Sequence, residues 1–425
     1  MTTTRTNPAR RTRRTALLLV AALVGAVALV GPGASVASAS GGSTSISAGN
    51  AHTCSVMADT SARCWGANSS GQLGSDSGTA YVPVPVTSTT GAIVTGIKQI
   101  SAGGGHTCAV FSNGTARCWG ANDSGQLGDG SNVGRSHPVF VRDSSNNPLT
   151  GIASITTGFS HSCAKMVVGT VRCWGANAAG QLGDGTTTNR NRPVEVTTAA
   201  SVALTGGLSV VAGAFHTCAL LSNGTAKCWG NNANGQIGNG STTNQTRAVS
   251  VLNTNLTAMS GVTGLAAGDV HTCARLNTGN VRCWGWNFYG QIGDGSTTDR
   301  YSPVFVRNAD NTPLGTVTSI TGGSFHTCAR LSTGAVRCWG FNTFGQLGDG
   351  TTINRNRPVA ATVTGTNAAL TGVTNVTAGN GHTCVRMTTG QARCWGANNG
   401  QVGDGTTTNR PRAVVVVGGP LTGVA

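Results

Sequence analysis

Histidine and cysteine recur together along this chain at a spacing that suits metal binding or disulfide formation. Seven histidines each stand two residues before a cysteine, and a second cysteine, followed by tryptophan, stands ten positions after the first. The unit recurs about every 55 residues and uses all 14 cysteines. The histidines are His52, His106, His161, His216, His271, His326 and His382. The cysteine pairs are Cys54 with Cys64, Cys108 with Cys118, Cys163 with Cys173, Cys218 with Cys228, Cys273 with Cys283, Cys328 with Cys338 and Cys384 with Cys394.

Zinc and disulfides compete as interpretations of this pattern. Each unit offers one histidine and two cysteines, whereas a structural zinc site uses four ligands. Many cysteines in an exported chain favour oxidation to disulfides. We therefore predict one disulfide inside each repeat and no metal or other cofactor. The histidines are interpreted as buried hydrogen-bonding residues at the start of a strand.

Acidic residues do not form a recognisable catalytic set. Glu195 is the one glutamate of the chain, and five aspartates lie in repeated Gly-Asp-Gly turns, namely Asp129, Asp184, Asp294, Asp349 and Asp404. One carboxylate per turn is too few for calcium, which takes six to eight oxygen ligands, and turn geometry accounts for the motif. No pair of carboxylates, nucleophile elbow or phosphate loop stands out. We predict that the protein is not an enzyme.

Aromatic residues depart from the repeat in two neighbouring units. The positions after the Cys-Trp-Gly motif are small or polar in most repeats, but the fifth carries Trp286, Phe288 and Tyr289 and the sixth carries Phe341 and Phe344. Phe325 precedes the histidine of the sixth unit. Exposed aromatic clusters mark contacts with proteins or sugars. These six residues are the candidate binding site, although packing between units or filling of a channel mouth would also explain them.

The first 39 residues have the three parts of a secretory signal peptide. Five arginines form a basic head, residues 16–30 form a short apolar run, and Ala37-Ser38-Ala39 is a cleavage motif. The apolar run is short for a membrane span, and no span is expected after cleavage. We predict a signal peptide at 1–39, a single repeat domain at 40–425 and an extracellular location, with cell-wall association open. Paired arginines leave both the general and the twin-arginine export routes open.

Net charge does not point to nucleic acid. The formal charge is +15, of which the five signal arginines supply part. Many of the other arginines lie in the turns that follow the Gly-Asp-Gly motif and are spread round the repeat. Bracing of turn carbonyls is the favoured interpretation of these arginines. No zinc finger, stacking motif or basic run supports nucleic-acid binding.

Short strands must position these residues, and the second repeat predicts where they lie. We expect strands at 100–102, 106–111, 115–120 and 138–141, because β-branched residues alternate with Gly, Asn, Ser and Pro turns. A three-residue turn ending at Gly114 would place Cys108 opposite Cys118. Both faces of the hairpin carry apolar residues, as expected for a blade stacked between two neighbours. We predict an all-β, seven-bladed β-propeller of four-stranded antiparallel blades, in which each disulfide packs near a tryptophan of the adjacent blade.

The repeated string HTCAxxxxGxxxCWGxNxxGQLGDG strongly resembles the repeat of the regulator of chromosome condensation family over about 380 residues. The resemblance implies a seven-bladed propeller. The founding member is a nuclear exchange factor, but the paired cysteines and export signal depart from it, and no exchange residues carry over. Secreted bacterial relatives such as β-lactamase inhibitory protein II have a similar architecture. We expect a monomeric scaffold that binds an unknown protein, with a carbohydrate or cell-wall glycan module as the alternative and guanine-nucleotide exchange as a third, disfavoured by export.

Overall fold

The chain forms a ring of seven four-stranded antiparallel sheets, as the sequence predicted. The computed structural model describes residues 43–200 and 202–418, so the predicted signal peptide and the last seven residues lie outside the described part. Within it, each blade consists of four strands that are consecutive in the chain. The strands of blades 1 to 3 are β1 (Ser43–Ala48), β2 (His52–Met57), β3 (Ala62–Gly66), β4 (Ala80–Pro85), β5 (Ile97–Ala102), β6 (His106–Phe111), β7 (Ala116–Gly120), β8 (Arg135–Phe140), β9 (Ile152–Thr157), β10 (His161–Met166), β11 (Val171–Gly175) and β12 (Arg190–Glu195).

Blades 4 to 7 repeat the arrangement after a small two-stranded hairpin, β13 (Thr197–Ala199) and β14 (Val202–Ala203). Their strands are β15 (Gly207–Ala212), β16 (His216–Leu221), β17 (Ala226–Gly230), β18 (Gln245–Ser250), β19 (Val262–Ala267), β20 (His271–Leu276), β21 (Val281–Gly285), β22 (Arg300–Phe305), β23 (Val317–Gly322), β24 (His326–Leu331), β25 (Val336–Gly340), β26 (Arg355–Ala360), β27 (Val373–Ala378), β28 (His382–Met387), β29 (Ala392–Gly396) and β30 (Arg410–Val415).

The hairpin turn of each blade sets the register of its cysteines. In blade 2 the amide of Phe111 donates to the carbonyl of Thr115, and Gly114 has a φ of 77°. Glycine tolerates this left-handed conformation without a steric penalty. The three-residue turn places Cys108 directly opposite Cys118, and the two form a disulfide. In blade 1 the left-handed position is taken by Thr60, with a φ of 64°.

All seven predicted disulfides form inside the blades, and each packs against a tryptophan of the next blade. Cys108 and Cys118, for example, share one buried cluster with Trp174. At the closing interface Cys384 and Cys394 pack with Trp65. The core is therefore divided into seven layers between the blades. Both faces of the hairpin formed by the second and third strands are buried as predicted, for example in β6 and β7.

The ring closes through side-chain hydrogen bonds between blades 7 and 1. The four strands of each blade come from one repeat, so no strand is exchanged at the junction. Instead the indole Nε1 of Trp65 donates to the carbonyl of Gln401 at 2.9 Å. Corresponding bonds join other neighbouring blades, such as Trp119 to Gln72 at 3.0 Å. The closing interface thus uses the same contacts as the others.

Three of the four strands predicted for the second repeat have wrong boundaries. The innermost strand begins at Ile97 rather than at 100, and the outermost runs over Arg135–Phe140 rather than over 138–141. Residues 135 and 136 are exposed, because β8 is an edge strand that needs no apolar alternation at its solvent end. The predicted strand at 115–120 is one residue shorter, Ala116–Gly120.

Candidate functional site

The six predicted aromatic residues form one continuous cluster, named here the aromatic surface. It consists of Trp286, Phe288, Tyr289, Phe325, Phe341 and Phe344. The Trp286 ring stacks on Phe288, with centroids 5.9 Å apart, and lies edge-on to Phe325 at 5.3 Å. Tyr289 and Phe341 join the two blades, with ring centroids 4.6 Å apart, and Phe344 follows Phe341 at 5.9 Å.

The aromatic surface lies on one end of the ring, the loop face. This end is formed by the loops that join the first to the second strand and the third to the fourth strand of each blade. Phe325 belongs to the first kind of loop, and the other five belong to the second. The opposite end, the turn face, carries the hairpin turns and the connections between blades.

A rigid backbone frame presents the aromatic side chains. The amide of Trp286 donates to the carbonyl of Val270, and that of Phe341 donates to the carbonyl of Phe325. Gly285 makes the first approach feasible, because it has a φ of 105° and a Cβ there would lie 2.7 Å from the Val270 carbonyl oxygen. The side chains therefore vary on a loop whose path is fixed by the repeat.

Buried amides complete this frame. The Asn287 side chain donates to the carbonyl of Thr298 at 3.0 Å and accepts from the amide of Ile292 at 2.9 Å. The Gln291 side-chain oxygen accepts from the amide of Tyr289 at 3.0 Å. Asn287 and Gln291 are fully buried, so the loop is held by hydrogen bonds that are shielded from solvent.

The aromatic surface is accessible although its members also contact one another. Phe288 is 63% exposed and Phe344 40% exposed, while the other four are partly buried. Phe344 also reaches towards blade 7, where its ring lies beside Gly381. Filling of a junction between blades thus describes part of the cluster, and exposed apolar area remains.

Two further aromatic residues of the loop face were missed from the sequence. Phe159 and Phe215 are 45% and 46% exposed, and their ring centroids lie 6.1 Å apart. Phe215 precedes a repeat histidine, as Phe325 does, and Phe159 stands one position earlier in its own repeat. Comparison of these two positions across the repeats would have found both residues.

A narrow channel opens at the centre of the loop face and contains a single acidic residue among its lining residues. The cavity measures about 100 Å³ and is lined by seven glycines at one repeat position, one from each blade, and by residues next to them, which include Gly104 and Gly322. Asp269 is one of these and is partly buried. Burial raises the pKa of its carboxyl group, and a hydrogen bond with Ser324 opposes that shift. The lining glycines are Gly49, Gly103, Gly158, Gly213, Gly268, Gly323 and Gly379.

Behind the glycines, the seven repeat histidines form a closed ring of hydrogen bonds. His216 Nε2 lies 2.8 Å from Oγ1 of Thr272 in the next blade, and His382 Nε2 lies 2.8 Å from Oγ1 of Thr53 in blade 1. The Thr272 hydroxyl donates to the carbonyl of Gln236, so its oxygen accepts the proton of His216 Nε2. Each neutral imidazole therefore carries its proton on Nε2.

Burial opposes protonation of these histidines. It lowers the pKa of His52 and His161 to about 4 and that of His216 and His382 to about 3. All seven are fully buried and stand at the start of the second strand of each blade. The interpretation as buried hydrogen-bonding residues is confirmed.

The Gly-Asp-Gly turns are braced internally. Asp184 Oδ1 accepts from the amide and hydroxyl of Thr186, and its Oδ2 accepts from Arg190 Nε at 3.0 Å. Burial alone would raise the pKa of Asp184, but the bonds from Thr186 and Arg190 outweigh it and lower the pKa. Arginines also brace turn carbonyls, as Arg192 does at Asp143, 2.6 Å away. Bracing of turns by arginine is therefore confirmed.

Neither a metal cluster nor a transmembrane helix occurs in the part of the chain that the structure describes. Over residues 43–200 and 202–418, no three His, Cys, Asp or Glu side chains are grouped to hold a metal ion. The same residues contain no helix of the length and hydropathy that would cross a membrane.

Family models match most of the chain. The model of the RCC1-like domain matches residues 30–311, and models of the regulator of chromosome condensation (RCC1) repeat match residues 317–346, 333–386 and 373–401.

Similar proteins include the ultraviolet-B receptor UVR8 of Arabidopsis thaliana, which is 30% identical over 86% of this chain and 79% of the receptor. The human E3 ubiquitin-protein ligase HERC2 is 29% identical over 84% of this chain but only 7% of the ligase. Among solved structures, human WBSCR16 aligns with a TM-score of 0.70 and 20% identity, covering 83% of this chain and 92% of that one. Prp20p of Saccharomyces cerevisiae, described with its binding to Gsp1p and histones, aligns with a TM-score of 0.61 and 20% identity, covering 79% and 80%.

Proposed function

Because the chain belongs to the family of RCC1-like β-propellers, we propose that it is a non-enzymatic scaffold, exported from the cell, that binds another protein through its aromatic surface. The observation that carries the proposal is the aromatic surface itself. Six rings from two neighbouring blades gather on one end of a rigid ring, and Phe288 and Phe344 remain exposed. Tryptophan, tyrosine and phenylalanine are enriched at the centres of protein interfaces.

Binding of a protein also agrees with what the relatives are described as doing. Prp20p binds Gsp1p and histones, and the yeast RCC1 structure contains bound Kap60. Similarity at this level of identity shows a shared fold, and function resides in the site rather than in the fold. The partner of this chain is therefore sought from its own surface.

The proposal of a non-enzymatic role rests on the state of the repeated polar residues. The seven histidines are buried and hydrogen-bonded, and the turn aspartates accept bonds from their own turns. The proposal of export rests on the seven disulfides, which persist in oxidising compartments, together with the predicted signal peptide. A secreted bacterial relative of this family, active as a monomer, is the type of protein that we propose.

A glycan is the second candidate ligand, favoured by the exposed ring of Phe288, on which a sugar could stack. Polar groups fix the orientation of small ligands in their sites. The aromatic surface supplies few, chiefly the Trp286 indole nitrogen and the Tyr289 hydroxyl. A protein partner therefore suits its chemistry better.

Affinity capture from culture supernatant tests the proposal. The bait is the mature chain, compared with the double variant Trp286→Ala and Phe341→Ala, and with a control double variant, Val167→Ala and Val168→Ala. The control residues are 65% and 78% exposed and lie in a hairpin turn of the turn face. A partner captured by the wild type and the control, but lost from the aromatic variant, supports the proposal.

Two other results would count against a protein partner. Equal capture by all three baits would show that the aromatic surface is not the site. Binding on a glycan array that is lost from the aromatic variant, with no protein captured, would favour the carbohydrate alternative. Circular dichroism and resistance to alkylation of the cysteines check that each variant is folded.

A further inference from the structure

Asp269 differs from the aspartates of the Gly-Asp-Gly turns. The Gly-Asp-Gly carboxylates pair with arginine, as in Asp294 with Arg300. Within the described residues, Asp269 forms no ion pair, and its carboxyl group is hydrogen-bonded to the Ser324 hydroxyl. It lies at the mouth of the central channel, where the equivalent residues of the other blades are Asn50, Gly104, Phe159, Ala214, Ser324 and Asn380. Burial of a carboxylate costs free energy unless a positive charge pairs with it. A cationic group of a ligand would supply that charge to Asp269.

Two members of the aromatic surface are connected to the neighbours of Asp269. Val270, the next residue, accepts the backbone hydrogen bond of Trp286. Ser324, which bonds to Asp269, precedes Phe325, and the Phe325 ring lies 5.3 Å from that of Trp286. Aromatic faces attract cations, and a guanidinium group combines stacking on a ring with paired hydrogen bonds to a carboxylate. Aromatic rings beside a lone carboxylate therefore suit an arginine side chain.

We infer that Asp269 is a second part of the binding site and accepts an arginine of the partner protein, whose apolar neighbours cover the aromatic surface. The inference rests on the proposed function and specifies the chemistry of the partner. The channel mouth is narrow, with a cavity of about 100 Å³. It fits one extended side chain rather than a folded element. The occupant is thus a projecting loop with arginine at its tip.

Trp286 offers a selective reporter for this interaction. The chain has eight tryptophans, and the seven framework residues are fully buried, whereas Trp286 is partly exposed. The probe is Nα-acetyl-arginine amide, and the comparison is Nα-acetyl-citrulline amide, which has nearly the same shape without the charge. Acrylamide quenching of tryptophan fluorescence is measured against probe concentration up to 100 mM. The variant Trp286→Phe identifies the signal of the reporter.

The structure predicts that the arginine probe protects Trp286 and that the citrulline probe does not. Asp269→Asn should weaken binding of the arginine probe by about tenfold or more, since a hydrogen bond to a charged group contributes about 1.5–3 kcal/mol. Asp123→Asn is the matched control. Asp123 is exposed on the loop face, and it occupies the repeat position that Phe288 has in blade 5. The Asp123→Asn variant should bind the arginine probe as tightly as the wild type does.

The inference is overturned if the wild type does not respond to the arginine probe, if citrulline binds equally, or if Asp269→Asn binds unchanged. The proposed function can survive that failure. A partner whose capture needs Trp286 and Phe341 but not Asp269 would leave the aromatic surface as the site and remove the acidic part. If the aromatic variant and Asp269→Asn both captured the partner as well as the wild type does, the proposed function and the inference would both be rejected.

Discussion

Mild acid should unfold this propeller because seven histidines are buried in neutral form. Each has a pKa of about 3 or 4 in the folded chain, against 6.5 for an ordinary histidine. The unfolded chain therefore binds more protons than the folded chain between those values. Stability is present above the unfolded pKa and is lost as the pH falls below about 6.5.

The size of the effect follows from the number of histidines. Lowering the pH from 7.5 to 5.5 takes an unfolded histidine from about one-tenth to nine-tenths protonated and stabilises the unfolded state by about 1.4 kcal/mol. Seven such groups give roughly 9–10 kcal/mol as an upper limit. Domains are typically stable by only about 5–15 kcal/mol. The free energy of unfolding should thus fall by more than half across these two pH units.

Carboxylates do not account for a loss in this pH window. The folded pKa values of Asp184, Asp294, Asp349 and Asp404 are lowered from 3.8. Their contribution is present above pH 3.8 and declines only as the pH falls through that value. The raised pKa of Asp269 acts in the opposite direction, because protonation of this group favours the folded state.

Guanidinium denaturation at pH 7.5 and 5.5, followed by the fluorescence of the buried tryptophans, measures the effect. His137 provides the control, since it lies outside the ring and contacts the Thr87 carbonyl and the Asp76 carboxylate. The variant His137→Gln should leave the contribution of the seven ring histidines in place. The variant His216→Gln should be less stable than the wild type, and the pH dependence of its free energy of unfolding should be about one-seventh smaller. Equal midpoints at both pH values, or ring histidines that titrate near pH 6.5 by NMR, would refute the account.

Two further predictions concern the closure of the ring and its disulfides. Thr53→Val removes the hydroxyl that bonds to His382 and to the Gln401 carbonyl at the closing interface. Thr217→Val makes the same change between blades 3 and 4, away from the closure. The free energy of unfolding of both variants, measured by denaturant titration, should be lower by about 1–3 kcal/mol. A much smaller loss for Thr53→Val would show that the ring does not close through this bond. Replacing Cys108 and Cys118 together by Ser removes a bridge with a sequence separation of 10, with an expected loss of roughly 2.5–3 kcal/mol from loop entropy; no change in the denaturation midpoint would contradict this.

The repeat made the scaffold predictable because identical spacing constrains every blade at once. The ten-residue interval between cysteines suits a hairpin, and the left-handed position of a three-residue turn favours a glycine such as Gly114, so the pairing of Cys108 with Cys118 could be predicted from local geometry. The edge strand could not be bounded in the same way. Residues of β8 such as Arg135 face solvent and carry no apolar period.

The candidate site was predictable only where it breaks the repeat. Trp286 and Phe341 stand out against small residues at the same positions, and the structure brings them into one cluster. Phe159 and Phe215 were missed because each is a lone change in a different repeat. The role of Asp269 depends on which residues meet at the channel mouth, and that convergence of blades is a property of the closed ring rather than of any single repeat.

Hydroxyl-radical footprinting of the mature chain, alone and with the captured partner, tests the central claim most directly. The account predicts that oxidation of Phe288, Trp286 and Phe344 falls on complex formation, while the exposed Val168 of the turn face and Ile93 react as in the free chain. Protection of Val168 with unchanged oxidation of the aromatic surface would place the partner on the opposite end of the ring and contradict the proposed function.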